Sequence, residues 1–229
     1  MNSLPIRWEN ITLGRVTPHV YPRYYRRKEG FAQLAAGHHF FIDEKHSWCE
    51  VFYERIDFGF WLVAMEIHVK SNNHYILEAK RHSPGLFSIN FFSSAGRIGY
   101  LNNQDVHWAD NQVVFSGPGT VTEIYAEKGK VLKCCRLIFT GSYLTGLSNT
   151  DNEGLGDRQT EATDDRLEHS PLFRVATRAE VFLQDRLFNI LRYERKKYHY
   201  KSSIFSILFE LTAFFLGSLW MRKVPPMYQ

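Results

Sequence analysis

The sequence predicts a mainly β domain, an antiparallel barrel or sandwich, followed by two helices. Short apolar segments alternate with turn residues up to residue 145, at the regular spacing typical of antiparallel all-β folds. The residues that follow are polar and acidic, and two helical patterns come after them. We therefore divide the chain into a β domain at residues 1–145, a linker at 146–172 and a helical segment at 173–223.

The composition is that of a globular protein without a strong charge. The 229 residues are 44% hydrophobic, and the net charge of +4 is too small to indicate nucleic-acid binding by itself. Cys49, Cys134 and Cys135 form a poor disulfide framework, which indicates a reducing compartment. The N-terminus lacks an apolar run of signal-peptide length. We expect a cytoplasmic protein.

The strand signals begin weakly and then become regular. Residues 1–50 are hard to interpret, and residues 51–57 fit either a strand or the entry to a turn. In residues 60–69, alternate side chains from Trp61 to Ile67 share one face, which predicts a half-buried strand. Further strands are predicted at residues 75–80, 86–92, 97–101, 112–115, 120–126 and 131–140. Turn signals separate them, at 71–74, 82–85, 93–96 and 116–119, and residues 127–130 predict a β-hairpin.

Two helices are predicted after the linker. Thr177 and Glu180 have the spacing of a capping box, so we expect the first helix to begin there and end near residue 193. Ser202 or Ser203 can cap a second helix. Its heptad-like seam, which we assign to a dimer interface, consists of Ile204, Leu208, Leu211 and Phe215. Other apolar residues lie elsewhere on this helix: Phe205, Phe209, Leu216 and Trp220. One stripe can pack on the chain itself, and the other needs a second surface, most simply a twin helix.

The second helix is also long and apolar enough to raise the question of a membrane. Residues 203–221 reach the lower edge of the length that spans a bilayer, but Glu210 lies near their middle. A carboxylate at that depth is costly. We favour a helix buried on two sides in a soluble assembly and expect no membrane partner, and a tail-anchored membrane protein is the alternative.

Signatures of catalysis and metal binding are weak. Metal-binding β-barrels often present His-x-His on one strand, but this sequence has none, and adjacent His38 and His39 point to opposite faces of a strand. His46 lies nearby and completes the best histidine group. Neither a Gly-x-Ser-x-Gly nor a Walker motif occurs. We expect no catalytic residue, no metal and no cofactor, and therefore not an enzyme.

A non-catalytic pocket fits the sequence better, because a small β-barrel lined by aromatic residues can hold a small ligand. The side chains expected to point inward are Trp61, Met65, Phe87, Phe91 and Tyr125. Those expected to orient a polar group of the ligand are His68, Tyr75 and Arg97. Ordinary core packing or a solvated surface position is the alternative for each of them.

Several stretches carry a resemblance to a known family. They read DFGFWL at residues 57–62, VHW at 106–108, VFSGPG at 114–119 and LIFTGSYL at 137–144. In this order, followed by paired helices at about 177–194 and 202–222, they resemble the N-terminal domains of bacterial AraC-type transcriptional regulators, in the divergent forms common in Bacteroidetes. The resemblance covers about residues 50–222.

This resemblance implies a cupin-like barrel that binds a small effector and forms a homodimer through its C-terminal helices. In the family, a second domain with two helix-turn-helix units reads DNA, and no such pattern follows Lys223. We therefore interpret the chain as a truncated form or natural fragment and assign DNA binding to the missing domain. The resemblance does not name the effector. The alternatives are a cupin-class metal enzyme and the tail-anchored protein.

Overall fold

The computed structural model separates the chain into two compact units, residues 1–175 and 176–229. The residues that the structure describes are 8–15, 31–33, 39–79, 85–102, 105–118, 120–143 and 172–223. The predicted linker, except for its last residue, and His38 lie outside them. Residues 173–175, which the sequence assigns to the helical segment, belong to a strand of the first unit.

The described part of the first unit is one 11-stranded sheet. Its strands are β1 (Glu9–Arg15), β2 (Phe31–Gln33), β3 (His39–Asp43), β4 (Ser47–Asp57), β5 (Phe60–Val69), β6 (Asn73–Ala79), β7 (Leu86–Asn102), β8 (Asp105–Ser116), β9 (Thr122–Ala126), β10 (Val131–Thr140) and β11 (Leu172–Val175). The predicted strand at 60–69 is confirmed. The hairpin predicted around 127–130 is wrong: the chain turns there between β9 and β10, but β9 pairs with β6 and β7, whereas β10 pairs with β5 and β7.

The sheet curls into a half-barrel, in the order β1-β6-β9-β7-β10-β5-β4-β3-β2, with β8 paired to β7 and β11. Strand β7 makes the bend. It pairs with β10 through residues 86–94 and with β9 through residues 98–100, and its register to β8 is irregular between Ser93 and Ile98. The turn predicted at 93–96 is therefore wrong, because the chain continues there as one strand with a bulge-like irregularity.

A hydrophobic core lies on the concave face of this sheet. Its buried members include Val63 and Ile67 of β5, Phe92 of β7, and Leu132 and Ile138 of β10. The opposite face of the central strands is buried too, as at Leu62, Leu137 and Phe139. Strands buried on both faces require nearly continuous apolar sequence, which explains the runs at residues 60–65 and 134–139.

The second unit contains α1 (Arg178–Tyr193) and α2 (Tyr200–Lys223), which contact each other. The capping box is confirmed. The Thr177 hydroxyl accepts from the Glu180 backbone N–H at 3.3 Å, and the Glu180 carboxylate accepts from the Thr177 backbone N–H at 2.8 Å. These bonds satisfy two amides that a helix N-terminus otherwise leaves without partners.

Burial distinguishes two apolar stripes on α2. The four residues of the predicted seam are already buried within a single chain: Ile204, Leu208, Leu211 and Phe215. The exposed large apolar residues in the described part of α2 are Phe209, Phe214 and Leu216, and Phe205 is partly exposed. Phe205, Phe209 and Leu216 each lie one position beyond a residue of the predicted seam. Heptad spacing could not choose between these two stripes, because α2 is apolar on most sides.

The same helix is the one membrane-span candidate among the described helices. Residues 200–218 are long and apolar enough to cross a bilayer, and 33% of them are buried inside the structure. Length and composition also fit the core helix of a soluble protein, so this observation leaves both readings of α2 open.

Candidate ligand site on the concave face

Arg136 lies on the concave face of the half-barrel, in the middle of β10. Strand β10 keeps a regular register with both neighbours, so its alternate residues share a face. Leu132, Cys134 and Ile138 belong to the core on that face, and Arg136 falls between them in the same alternation. The residue is only 6% exposed. An arginine is thus placed on a face of β10 between residues that are apolar and buried.

Asn90 of β7, the register partner of Arg136, holds this side chain. Arg136 Nε donates to Asn90 Oδ1 at 2.5 Å. Asn90 Nδ2 donates to the Val114 backbone oxygen at 3.1 Å and to Ser88 Oγ at 3.2 Å. The amide is therefore fixed by two further contacts, and it fixes the plane of the guanidinium group in turn.

Two more hydroxyl groups extend this arrangement. Ser116 of β8 is the register partner of Ser88, and its Oγ lies 2.8 Å from Thr122 Oγ1. All five side chains are buried. We call this group the polar cluster: Ser88, Asn90, Ser116, Thr122 and Arg136.

The concave face changes character along the strands. Successive rows across the sheet can be read from the strand registers. One row is apolar except at its end: Gln112, Phe92, Cys134, Met65, Val51 and Phe40. The next contains the guanidinium group: Val114, Asn90, Arg136, Val63 and Tyr53. The third row carries the hydroxyl groups of Ser88 and Ser116, and its members are Ser116, Ser88, Ile138, Trp61 and Arg55. The polar cluster therefore lies toward the end of the half-barrel where β5 begins.

The guanidinium group of Arg136 has unused hydrogen-bonding capacity. Within the described part of the chain, its one hydrogen bond is the Nε contact to Asn90, and no carboxylate forms an ion pair with it. Its two Nη nitrogens are not sealed from solvent. Arginine stays charged in proteins, and a buried charge without a counter-ion is costly. As far as the structure describes the chain, the site thus presents a fixed positive charge with two free donor groups.

The charge of Arg136 also acts on a neighbouring thiol. Burial raises the pKa of Cys134 to about 11, and the positive charge of Arg136 opposes this rise. Burial likewise raises the pKa of Cys49 and of Cys135. All three thiols are free and buried, which makes them neutral and poorly reactive near pH 7.

Three of the eight predicted pocket residues lie on the concave side. Trp61 and Met65 are partly buried against the core, on either side of Val63, which is the register partner of Arg136. Tyr75 is part of the core as well, but Asn73 Nδ2 donates to its hydroxyl at 2.8 Å. Burial raises the pKa of Tyr75 to about 12. Trp61 and Met65 therefore border the polar cluster.

The other five predicted pocket residues do not line this face. Phe87 and Phe91 point to the opposite face of β7, because they alternate with Leu86 and Phe92 of the core. Tyr125 also leaves the core side of β9 and stacks on His74, with ring centroids 4.2 Å apart. His68 and Arg97 are exposed. The sequence alone could not assign these faces without the strand registers.

The described residues contain no group of three histidine, cysteine or acidic side chains placed to hold a metal ion. Of the histidines considered above, His39 Nε2 lies 3.0 Å from Glu50 Oε1, and His46 Nδ1 lies 3.2 Å from Ser71 Oγ. The two side chains thus have separate partners.

No protein-family model matches the chain. No curated protein matches it either. Solved structures with a similar fold include the cupin domain of Cnp3 from Schizosaccharomyces pombe, at 15% identity over 48% of this chain and 73% of that one, with a TM-score of 0.30. The AraC-like transcriptional activator CuxR is similar at 11% identity over 73% of this chain and 56% of its own, with a TM-score of 0.35.

Enzymes are among the similar structures too. An oxalate decarboxylase from Bacillus subtilis has 14% identity over 52% of this chain and 33% of its own, with a TM-score of 0.26. The chain spans only about half the length of CuxR.

Proposed function

We propose that this chain is the cytoplasmic effector-sensing and dimerisation domain of an AraC-type transcriptional regulator, whose DNA-binding domain lies outside the chain. The observation that carries the proposal is the polar cluster on the concave face. It offers a charged, pre-arranged binding group in a half-barrel, and the described residues assemble no metal site around it. A ligand bound there meets fixed donors rather than reacting groups.

The helical unit supplies the second part of the proposal. Phe205, Phe209, Thr212 and Leu216 follow each other at intervals of four, three and four residues along α2. This is the spacing of a coiled-coil seam. Phe205 and Phe209 stack with ring centroids 6.4 Å apart, and the Phe209 side chain is 57% exposed. We name these four residues the outer stripe and assign to it the contact with a second copy.

Ligand control then follows from a population shift. A ligand that binds one arrangement of the dimer more tightly than another changes the spacing of two DNA-binding domains attached beyond the C-terminus. The proposal requires two separate properties of this chain: self-association through the outer stripe, and binding of a small molecule in the half-barrel.

A fusion experiment tests the first property directly. The full chain is joined to a DNA-binding domain that represses a reporter gene only as a dimer. We expect the fusion to repress, Phe209→Ser to abolish repression, and Lys201→Ser, at another exposed position of α2, to leave it unchanged. A fusion that is soluble but does not repress, or a Phe209→Ser fusion that represses fully, would show that this domain does not dimerise through α2. Recovery of the protein only in detergent would favour the membrane anchor instead.

A further inference from the structure

We infer that the polar cluster binds the carboxylate group of a small, mostly apolar monocarboxylate. This inference names the ligand class of the effector site and so rests on the proposed function. It begins with Arg136, a residue that is 6% exposed and forms no ion pair within the described part of the chain. Because removing such a charge from water is costly, a counter-ion has to come from outside these residues.

The free donors of Arg136 suit a carboxylate. Its Nε is already used by Asn90, which leaves the two Nη groups as a planar pair of donors. A planar guanidinium group pairs with a carboxylate through two parallel hydrogen bonds, a geometry that lysine cannot offer. The contacts from Asn90 to Ser88 and to the Val114 backbone oxygen hold that pair of donors in place.

The number of positive charges favours a monoanion. On the described concave face, the other arginine in the adjoining rows is Arg55, at the rim. Its Nε donates to the Asp57 backbone oxygen at 3.4 Å, and its guanidinium carbon lies 5.6 Å from the centre of the Phe58 ring. Arg55 is therefore directed to the neighbouring turn. One available charge matches a carboxylate better than a phosphate dianion.

The surroundings specify the rest of the ligand. Trp61, Met65 and Tyr53 are partly buried on the concave side next to Val63, and together they form an apolar and aromatic wall beside Arg136. Such a wall stabilises an aromatic ring or a short alkyl chain through burial. Ser88 and Ser116 offer hydroxyl groups to a second polar substituent.

The probes are benzoate, a series of straight-chain monocarboxylates up to octanoate, benzamide and inorganic phosphate. Binding to the full chain is measured by titration calorimetry and by the shift of the thermal unfolding midpoint. We expect at least one carboxylate to bind saturably, while phosphate and the uncharged benzamide do not. Absence of binding by every carboxylate, or equal binding of benzoate and benzamide, overturns the inference.

Variants locate the binding. We expect Arg136→Gln to lower the affinity for the carboxylate by roughly tenfold or more, because hydrogen bonds to a charged group are lost. Arg136→Lys keeps the charge and removes the planar pair of donors, so intermediate affinity is expected, and this variant serves if the glutamine variant fails to fold. Arg186→Gln, at an exposed arginine of α1, is the matched control. Unchanged affinity in the folded Arg136 variants would place the ligand elsewhere.

The two proposals can fail separately. If the chain binds no carboxylate but still dimerises in the repression assay, the inferred ligand class is rejected and the proposed function stands. If the chain binds a carboxylate at Arg136 but never dimerises, the binding site stands and the proposed role in regulation is rejected.

Discussion

Arg136 and Asn90 are 46 positions apart in the chain, yet Arg136 Nε donates to Asn90 Oδ1 at 2.5 Å. The pairing of β10 with β7 makes them direct neighbours on the concave face. Asn90 in turn is fixed by Ser88 and Val114. The position of the charge is therefore a property of the sheet register, not of a flexible arginine side chain.

Replacing Asn90 should lower the stability of the fold, because the buried charge of Arg136 loses a hydrogen-bond partner. In Asn90→Leu, the Nε of Arg136 loses its acceptor in a buried position. A lost bond to a charged group costs about 1.5 to 3 kcal/mol, so the free energy of unfolding should fall by about that amount. Urea unfolding followed by circular dichroism measures the change. The exposed Asn189→Leu on α1 is the control, with an expected change within about 0.5 kcal/mol. Equal effects in the two variants would mean that the Asn90 contact contributes nothing.

The two stripes of α2 predict opposite outcomes for adjacent residues. Leu208 is 1% exposed and Phe209 is 57% exposed. Leu208→Glu should therefore unfold or aggregate the helical unit, because a carboxylate is forced into the core. Phe209→Glu should leave helix content unchanged and convert the proposed dimer into a monomer near 26.9 kDa. Light scattering on a size-exclusion column, without detergent, measures the mass. A dimeric Phe209→Glu variant would exclude the outer stripe as the interface.

Gly59 and Gly129 form a matched pair for testing backbone strain. Both have positive φ, near 80°. A Cβ at Gly59 would lie 2.5 Å from Thr140 Oγ1, whereas one at Gly129 has no heavy atom within 4 Å. We expect Gly129→Ala to cost about 1 to 2 kcal/mol from the left-handed conformation alone. Gly59→Ala should cost clearly more, since the clash adds to it. Urea midpoints give the comparison, and equal losses would contradict the close approach to Thr140.

The buried thiols predict a loss of stability at alkaline pH. Burial raises the pKa of Cys134 from 9.0 to about 11, so the folded chain retains a proton that the unfolded chain releases. The corresponding stability is present below pH 9 and declines as the pH rises toward 11, by at most about 1.4 kcal/mol per pH unit for one group. Denaturant unfolding across this range should show a shallower decline in Cys134→Ala than in the wild type. Some decline should remain, because burial also raises the pKa of Cys49, Cys135 and Tyr75. If the free energy of unfolding declines equally steeply with pH in the two proteins, Cys134 does not contribute to the loss of stability at alkaline pH.

The elements of the fold were largely predictable from local pattern. The strand at 60–69 and the capping box at Thr177 follow from alternation and helix-cap chemistry, and both are confirmed. The long strand β7 was not predictable, because Ser93–Gly96 has the composition of a turn. Pairing with β8, β9 and β10 overrides that local preference.

The site was less predictable because it depends on register. The sequence predicts that Arg97 and His68 orient a polar group of the ligand, but both residues are exposed. Arg136 was missed, although the sequence contains a signal: it interrupts an alternating apolar face formed by Leu132, Cys134 and Ile138. An arginine in the middle of a strand that is otherwise buried requires a partner. Only the pairing of β10 with β7 identifies Asn90 as that partner, and among the described residues the two Nη groups have none.

The order of the strands along the chain has a consequence for folding. Strands β7 and β8 are consecutive, so we expect them to pair early and to bring Ser88, Asn90 and Ser116 together. Arg136 lies 46 positions from Asn90 on a later strand, so we expect their contact to form afterwards. A variant with a weakened β7–β8 pairing should therefore refold more slowly than the wild type.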